Sequence, residues 1–518
     1  MGLGRQIFKH TAIYSAATIV GKLASFLMLP FYAHIFQTKG YGVIGMIDAS
    51  LGILTVLFTG GFQMAILRIY HEQEDHRKEL ALGTGVRLVW GLSALTVVLP
   101  ILFSSPISRF ALGSAEYYPL VCLALVTFVI DVAGQSASTF LIIRQKSLLF
   151  STVGLVRLFL GLSLNIWLVV ILQVGLIGVF ISSLVSAAVS TLIFHVVALR
   201  DHGFGFDRQI AGSLLRFQLP LLPGELVGFL GRQAERVLVR FLIGLEGMGV
   251  LEMAYKFAPL LNLLINIPFG RSWRTKSIEI AEQEDAPRVM GEMFTRYLFF
   301  MIFVGLILAV VMQDILELMT PQSFWSAKRI AQVEIVTTIL TGCTTFLSFG
   351  ILYRKETKIF TYVKSVLTPI KIALAFTLIS LWGLSGAAYS ALIIEAVTLV
   401  WIFHRSQGLY RIPLEYRRIG VMVGGAVIIF ALLDGNRYEH FGPAVYAREY
   451  LLPGVTGFLQ GTPLGEWKSG KLIHLFRMKE GLVVSLFFNM LASMMFLAVI
   501  PLLRGKKLLP GQHEVNNA

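Results

Sequence analysis

The chain has 518 residues, of which 56% are hydrophobic and 14% are charged, and its formal net charge is +14. A soluble domain carries roughly 25% charged residues, so this composition excludes a soluble globular protein and predicts an all-α polytopic membrane protein. In a soluble protein the positive charge would suggest nucleic-acid binding. Here most of it lies in loops, where it orients membrane helices, and no nucleic-acid partner is expected.

Long apolar segments recur along the whole sequence and predict about fourteen transmembrane helices, at roughly 20 residues for each crossing. No signal-peptide cleavage is expected, because the first apolar stretch is too long and lacks an A-x-A-like site. The predicted spans, in chain order, are 10–35, 41–67, 84–104, 117–143, 148–172, 175–199, 213–242, 246–270, 292–313, 330–353, 360–382, 384–404, 416–434 and 481–503.

The loops between the predicted spans alternate in charge. One set is rich in basic residues, as at Arg77 and Lys78 or at Arg354 and Lys355, and the other set is short and poor in them. By the positive-inside rule the basic loops are cytoplasmic, which predicts that both termini lie inside. The long loop 436–479, which is mixed in charge, then lies outside.

The two halves of the sequence resemble each other at a nearly constant offset. GYGVIGMIDA begins at Gly40 and aligns with GMGVLEMAYK at Gly247, an offset of 247 − 40 = 207. GLIG at Gly175 aligns with GLSG at Gly383, an offset of 383 − 175 = 208. Matches in the same order at one offset predict a duplicated unit of six helices with parallel topology. The predicted domains are two pseudo-symmetric six-helix lobes around a central cleft and an extra C-terminal helix pair, at 1–206, 207–413 and 414–518.

Charged side chains inside the predicted spans mark a candidate binding site. A charge at the bilayer centre costs roughly 2.5–3.5 kcal/mol on insertion scales, so such residues should face an interior or a wet cavity. In the seventh span Arg232, Arg236 and Arg240 recur on one helix face. A cationic cleft predicts an anionic, phosphate-bearing ligand, because arginine presents a planar fork of donors. The predicted ligand-binding residues are Lys22, Arg232, Arg236, Arg240 and Lys256.

The same charges have other interpretations. Glu225 could pair with Arg232, and Glu235 with Arg236, as structural ion pairs. Arg240 lies near the outer boundary, where it could extend its guanidinium into the membrane interface instead. The acidic residues that would serve either internal pairing or coupling to H⁺ or Na⁺ are Asp48, Asp131, Glu225 and Glu235.

One short motif resembles a dinucleotide-binding loop without its context. Gly40, Gly42 and Gly45 spell G-x-G-x-x-G, but they open a predicted membrane helix and do not follow a strand. Tight packing between helices is therefore predicted for these glycines. The sequence has no Cys/His cluster, H-E-x-x-H motif or G-x-S-x-G elbow, so no cofactor, metal ion or catalytic residue is expected.

The segment RQIFKHTAIYSAATIVGKLASFLMLPFYAHIFQTKGYGVIG (5–45) resembles the opening of Wzx-type polysaccharide flippases. These belong to the multidrug/oligosaccharidyl-lipid/polysaccharide exporter superfamily. The matching features are an amphipathic start, a first helix with Pro30 and a Gly-x-Gly entry to the second helix. The six-plus-six repeat with two extra helices also fits, and the resemblance covers roughly 1–435.

The resemblance implies a flippase in the bacterial inner membrane, not an enzyme. Such a protein moves an undecaprenyl-pyrophosphate-linked oligosaccharide from the cytoplasmic to the periplasmic leaflet by alternating access. The oligosaccharide then serves the synthesis of O-antigen, capsule or exopolysaccharide. The implied partners are this lipid-linked substrate, a coupling cation, polysaccharide assembly proteins and membrane lipid.

Two other functions are compatible with the sequence. The first is an ion-coupled exporter of small molecules or drugs on the same fold, although that class usually has a carboxylate-centred cavity. The second is a membrane-embedded polysaccharide polymerase that uses 436–479 as a catalytic outer loop, against which the internal repeat argues. In that case the residues of interest are Arg437, Glu439, Arg448 and Glu466.

Overall fold

The computed structural model describes residues 21, 26, 28–58, 60–144, 146–202 and 205–435. These residues form helices joined by short turns, with no strand in the described part of the chain. Ten segments are long and apolar enough to cross a membrane, and they correspond to ten of the predicted spans. The chain is therefore a multi-pass membrane protein, as its composition predicted.

Four of the fourteen predicted spans are not among these ten segments. The span 213–242 is divided between the helices Arg208–Gln218 and Leu222–Leu242, and the span 416–434 lies in one helix, Tyr416–Gly435. The span 10–35 lies mostly outside the described residues, and 481–503 lies wholly outside them. The loop 436–479, and with it Arg437, Glu439, Arg448 and Glu466, also lies outside them.

The chain divides into two compact units, each of them discontinuous in sequence. The first unit is 1–253 with 364–390, and the second is 254–363 with 391–518. The predicted lobes, 1–206 and 207–413, were defined by the internal repeat and not by contacts, so this division does not test them and they stay a prediction.

The helices of the first unit are long and mostly apolar. In its core α5 packs along α3 and α7, and α9 packs on α1; Phe58, Phe62, Phe128 and Phe140 are buried there. The helices are α1 Leu29–Phe58, α2 Gly60–Glu72, α3 Asp75–Leu102, α4 Ser104–Leu112, α5 Tyr118–Ile143, α6 Ser147–Asn165, α7 Leu176–His202, α8 Arg208–Gln218, α9 Leu222–Leu242 and α10 Leu245–Ala254. A π-helix, Ile166–Ile171, continues α6.

The second unit continues the chain from the end of α10. Its helices are α11 Ala258–Leu261, α12 Ile267–Ala281, α13 Ala286–Val310, α14 Met312–Met319, α15 Ala327–Leu347, α16 Phe349–Tyr353, α17 Lys358–Trp382, α18 Leu384–Leu409 and α19 Tyr416–Gly435. A second π-helix, Asn262–Asn266, joins α11 to α12. Helix α13 packs against α15 and α19. The division between the units falls within α17 and again within α18, so each of these helices contributes residues to both units.

Left-handed backbone turns recur at the offset of the sequence repeat. Gln37, with φ 54°, kinks α1, and Gly244, with φ 117°, separates α9 from α10, at an offset of 244 − 37 = 207. Gly175, with φ 81°, precedes α7, and Gly383, with φ 61°, separates α17 from α18, at an offset of 383 − 175 = 208. Positive φ is uncommon outside glycine. Gly175 and Gly383 belong to the sequence match itself, whereas Gln37 and Gly244 lie outside the aligned segments and agree with the predicted duplication.

The repeat-equivalent glycines lie against each other where α1 crosses α10. A Cβ atom added to Gly42 would overlap the carbonyl of Leu245, and one added to Gly249 would overlap the carbonyl of Thr38. Since 249 − 42 and 245 − 38 both equal 207, shifting the residues of one contact by the repeat offset gives the residues of the other. Contacts that exchange in this way are the signature of a two-fold axis. The G-x-G-x-x-G motif therefore serves tight helix packing, as predicted.

Replacing Gly42 with alanine should destabilise the protein by about 1–3 kcal/mol, because the added methyl group enters a close-packed backbone crossing. Replacing Gly91, whose Cβ position in α3 is open, is the matched control. It should be neutral or stabilise the helix by roughly 0.5–1 kcal/mol. The midpoint of thermal unfolding in detergent measures both effects. Equal midpoints for the two variants would contradict the close approach seen at Gly42.

Asp207 caps the N-terminus of α8 and connects it to α3. Its carboxylate accepts hydrogen bonds from the backbone N–H groups of Gln209, at 2.7 Å, and Ile210, at 3.1 Å, and it pairs with Arg77. The backbone hydrogen bond from Ile210 is the main cause that lowers the pKa of Asp207, and Arg77 lowers it further. The ionised carboxylate thus holds the start of α8 against α3.

Because its folded pKa is lowered, Asp207 should stabilise the protein above the ordinary aspartate pKa of about 3.9. This contribution is lost as the pH falls through the lower pKa of the folded protein. The variant Asp207→Ala should therefore be less stable than the wild type at pH 7, and the two should converge in acid. Thermal unfolding at several pH values tests this. The matched control is Asp285→Ala, since Asp285 precedes α13 but makes no side-chain capping bond.

Candidate functional site

Helix α9 carries the charged face that the sequence singled out. Pro223 lies in its first turn, where a missing N–H costs nothing, and the helix gives way to the left-handed Gly244 after its last turn. At about 100° per residue, Glu225, Arg232, Arg236 and Arg240 follow one another along the same face. The whole helix belongs to the first unit.

Arg236 pairs with a carboxylate that the sequence analysis did not include. Its Nε donates to Glu252 of α10, and its Nη1 donates to the side-chain oxygen of Gln233 at 3.1 Å. The pair is largely buried, with side-chain exposures of 23% for Arg236 and 12% for Glu252. Gly45 of α1 makes room for it, since a Cβ atom there would overlap the Glu252 side chain.

Glu235 forms an ion pair with Lys371 of α17. The Lys371 Nζ lies 2.8 Å from a Glu235 oxygen, and the two side chains are only 18% and 5% exposed. One turn earlier, Gly231 faces Thr368 of α17, so small side chains allow the two helices to approach here. The close approach of α9 and α17 thus allows Glu235 and Lys371 to form a buried ion pair inside the first unit.

Arg240 binds the end of a neighbouring helix. Its Nε donates to the carbonyl of Ala111 at 2.6 Å, in the last turn of α4, and its Nη2 lies beside Gly113. A cation at a helix C-terminus satisfies free carbonyl groups and is favoured by the helix dipole. The position thus gives Arg240 a structural role that neither sequence interpretation foresaw.

Arg232 is the arginine of α9 that stays exposed. Among the residues that the structure describes, its guanidinium makes no ion pair and no hydrogen bond. Glu225 is half-buried and does not reach it, because two helical turns separate them. The alternative in which Glu225 pairs with Arg232 is therefore not formed, and a planar fork of donors remains open to a ligand.

The other predicted site residues lie in different surroundings. Asp131 of α5 is paired with Arg157 of α6 through two contacts of 2.7 and 3.0 Å. Asp48 is exposed on α1, three residues after Gly45, on the side that faces α9 and α10. Lys256 is exposed but belongs to the second unit. Lys22 lies outside the described residues.

The pairing changes the electrostatic interpretation of this face. Glu252 and Lys371 add one charge of each sign, so the net charge on and beside α9 is unchanged, but two of the four basic residues now lie in largely buried pairs with glutamates. Arg232 and Arg240 keep their charge without a carboxylate partner in the part of the chain that the structure describes. The site is therefore better described as one exposed arginine held on a rigid, internally paired helix than as a uniformly cationic wall.

Known proteins resemble this chain in sequence family and in fold. The family model described as "Polysaccharide biosynthesis protein" matches residues 7–273, just over half of the chain. No protein in the curated set matches the sequence. The likeness to solved structures is low in sequence identity and extends over most of each chain.

Three solved structures illustrate this likeness. "Lipid II flippase MurJ, inward closed conformation" is 14% identical, with 94% of this chain and 100% of that chain covered and a TM-score of 0.65. An inward-facing multidrug resistance MATE family transporter of the MOP superfamily is 16% identical over 77% of this chain and 95% of that one, with a TM-score of 0.51. A MOP superfamily transporter from Pyrococcus furiosus, described as having a binding pocket of reverse polarity, is 13% identical over 77% and 96%, with a TM-score of 0.50. At these identities the matches show the fold alone.

Proposed function

The chain belongs to the family of polysaccharide biosynthesis proteins, as its resemblance to Wzx-type flippases predicted, and on this premise we propose that it is a lipid-linked oligosaccharide flippase. Its substrate is an undecaprenyl-pyrophosphate-linked oligosaccharide, which it moves from the cytoplasmic to the periplasmic leaflet of a bacterial inner membrane. Both termini are cytoplasmic, and polysaccharide assembly proteins receive the product. The protein acts by alternating access, as a transporter without catalytic residues.

The observation that carries this proposal is the exposed guanidinium of Arg232 on a helix of a multi-pass membrane fold. An unpaired charge within such a fold is costly unless it meets water or an anionic partner. The planar fork of arginine donates two parallel hydrogen bonds to a phosphate, which suits the pyrophosphate of a lipid carrier. The polyprenyl tail remains in the bilayer throughout.

The buried pairs support a structural role for most of the neighbouring charges. Arg236 with Glu252 and Lys371 with Glu235 hold α9 against α10 and α17, and so fix the position of Arg232. At Asp131 and Glu235 a basic partner favours internal pairing over cation coupling. Asp48 and Glu225 stay proposed residues for internal pairing or cation coupling, as do Asp131 and Glu235. Lys22 and Lys256 stay proposed headgroup ligands.

Transport of an anion outward can draw on the membrane potential. An inside-negative potential favours this direction by about 2.3 kcal/mol per elementary charge for each 100 mV. Exchange for H⁺ or Na⁺ is the other source of energy. A potassium gradient with valinomycin imposes a membrane potential on the liposomes. Measuring the transport rate with this potential, with and without a sodium or proton gradient, separates the two energy sources.

A transport assay tests the proposal. Purified protein is reconstituted into liposomes that contain a lipid-linked oligosaccharide, and the sugar exposed on the outer surface is measured over time with a membrane-impermeant glycosidase. We expect the pool of protected sugar to disappear faster than in protein-free liposomes. Identical rates in the two preparations would refute the flippase proposal.

The likeness to MATE transporters gives the second candidate function, an ion-coupled exporter of small molecules. Efflux of a cationic dye from vesicles that contain the protein discriminates between the two. A flippase should leave dye efflux at the level of empty vesicles. Dye efflux driven by an ion gradient, without movement of lipid-linked sugar, would favour the exporter.

A further inference from the structure

The second unit contains a cavity that the sequence analysis did not foresee. It has a volume of about 310 Å³, at the small end of the range of ligand pockets, roughly 300–1,000 Å³. The π-helix Asn262–Asn266, the start of α12, Tyr297 of α13 and one face of α15 line it. No charged side chain lines it among the residues that the structure describes.

One wall consists of a chain of oriented hydrogen bonds. The hydroxyl of Tyr297 donates to the Asn266 side-chain oxygen, and the Asn266 amide nitrogen donates to the Asn262 oxygen at 2.5 Å. This direction leaves the Asn262 amide nitrogen as a donor with no acceptor in the described part of the chain. Gly342 lets the wall form, since a Cβ atom there would overlap the Tyr297 hydroxyl. π-Helical turns of this kind are frequent at functional sites.

A second wall offers hydrogen-bond acceptors. Thr341 and Thr345 are exposed, one helical turn apart on α15, and both line the cavity. Their hydroxyl groups donate to the backbone carbonyls of Thr337, at 3.0 Å, and Thr341, at 2.9 Å. With the hydroxyl protons engaged in this way, the oxygen lone pairs are available to a ligand.

The third wall is aromatic. Phe269 is half-buried, and its ring packs on Tyr297 with centroids 4.3 Å apart. Trp273 and Phe346 stack at 4.1 Å behind it, so the platform is rigid. An aromatic face carries partial negative charge and attracts polarised C–H groups laid across it.

We propose that this cavity binds a neutral sugar ring of the lipid-linked substrate. A sugar ring has one face of C–H groups for Phe269 and a rim of hydroxyl groups that both accept from Asn262 and donate to the threonines. A phosphate would find no countercharge among the described side chains that line this cavity. A lipid tail would leave the amide of Asn262 unsatisfied, which is costly in an apolar setting. The inference rests on the flippase proposal and gives the sugar its own recognition site.

A binding experiment separates the sugar from the lipid carrier. The two probes are undecaprenyl pyrophosphate and the lipid-linked oligosaccharide extracted from source cells that lack this protein. Both are titrated against the purified full-length chain in detergent, with intrinsic tryptophan fluorescence as the readout. Trp273→Phe identifies the part of the signal that comes from the cavity. We expect the wild type to bind the sugar-bearing lipid more tightly and to change its Trp273 signal only with that probe.

Substitutions in the cavity should remove this preference. Asn262→Leu should weaken binding of the sugar-bearing lipid about tenfold, as expected for one or two lost hydrogen bonds, and leave binding of the bare lipid unchanged. Thr341→Val should act in the same direction. Thr337→Val is the matched control, one turn away on α15 and outside the cavity, and should bind both lipids as the wild type does. Unchanged binding of the bare lipid also reports that each variant is folded.

The outcomes distinguish this inference from the proposed function. Equal binding of the two lipids by the wild type would overturn the sugar site and leave the flippase proposal standing. A preference for the sugar-bearing lipid that survives Asn262→Leu and Thr341→Val would likewise overturn it. Failure of the wild type to bind either lipid would overturn the flippase proposal and the sugar site with it.

Discussion

Replacing Arg232 with alanine should reduce transport of the lipid-linked oligosaccharide at least tenfold and leave the stability of the protein nearly unchanged. Arg232 is exposed and makes no ion pair or hydrogen bond among the described residues, so its removal breaks no polar structural interaction. Substitutions of this kind usually change stability by less than about 0.5 kcal/mol. The lost charge-assisted hydrogen bonds to a phosphate are worth about 1.5–3 kcal/mol, which corresponds to roughly 10- to 100-fold in affinity.

Three variants sharpen this experiment. Arg232→Lys keeps the charge but loses the planar fork, so it should retain partial transport. Arg288→Ala removes an exposed arginine at the start of α13, where its side chain is 81% exposed, and should transport normally. Arg236→Ala should lower transport and stability together, because it leaves Glu252 buried without its partner. Full transport by Arg232→Ala in the liposome assay would exclude Arg232 as a ligand of the headgroup.

Replacing Lys371 with methionine should destabilise the protein by about 3–5 kcal/mol, the usual cost of removing one partner from a buried ion pair. Glu235 would then remain inside the first unit with a 5% exposed carboxylate and without its ammonium partner. The expected result is a large fall in the midpoint of thermal unfolding in detergent. Glu235→Met should be similarly harmful, since it leaves the ammonium group of Lys371 without its partner.

The double variant Glu235→Met/Lys371→Met decides whether pairing is the cause. Apolar residues of similar volume often replace a buried pair at little cost, so the double variant should recover most of the lost stability. Lys364→Met, on the same helix and exposed, should have little effect and serves as the control. Additive losses in the double variant would show that the two residues act independently.

The helices could be predicted from the sequence because membrane spans depend on a property of each segment alone. Ten of the predicted spans correspond to described helices of the required length and apolarity. The seventh was the least apolar, and the structure shows why: α8 and α9 are separate helices, and α9 uses its charges for contacts inside the first unit. The turns at Gln37 and Gly244 recur at the offset of the repeat that the sequence predicted.

The partners of the charges could not be predicted in the same way. Neighbouring residues such as Glu235 and Arg236 look like a natural pair in a sequence, but on a helix they point about 100° apart. Their actual partners, Lys371 and Glu252, lie on other helices. One signal was present in the sequence. Glu252 aligns with Gly45 at the repeat offset, since 252 − 45 = 207, and a glycine leaves room for the long side chain of a glutamate that faces it.

The cavity of the second unit left still less trace in the sequence. Its polar residues are neutral and separated by up to about eighty positions, from Asn262 to Thr345. Asparagine and threonine occur throughout apolar helices in ordinary packing roles. Only the direction of the hydrogen bonds from Tyr297 to Asn262 shows that a donor remains unused.

The crossing of Gly42 and Gly249 has a consequence for the history of the molecule. Under the proposed repeat, a contact between equivalent residues in one chain was once a contact between two identical chains. On that premise the ancestor was a polypeptide about as long as the repeat, 249 − 42 = 207 residues, which formed a homodimer through this glycine before gene fusion joined two copies. Both halves keep glycine at this close approach, whereas the position three residues later is glycine in one half, Gly45, and glutamate in the other, Glu252.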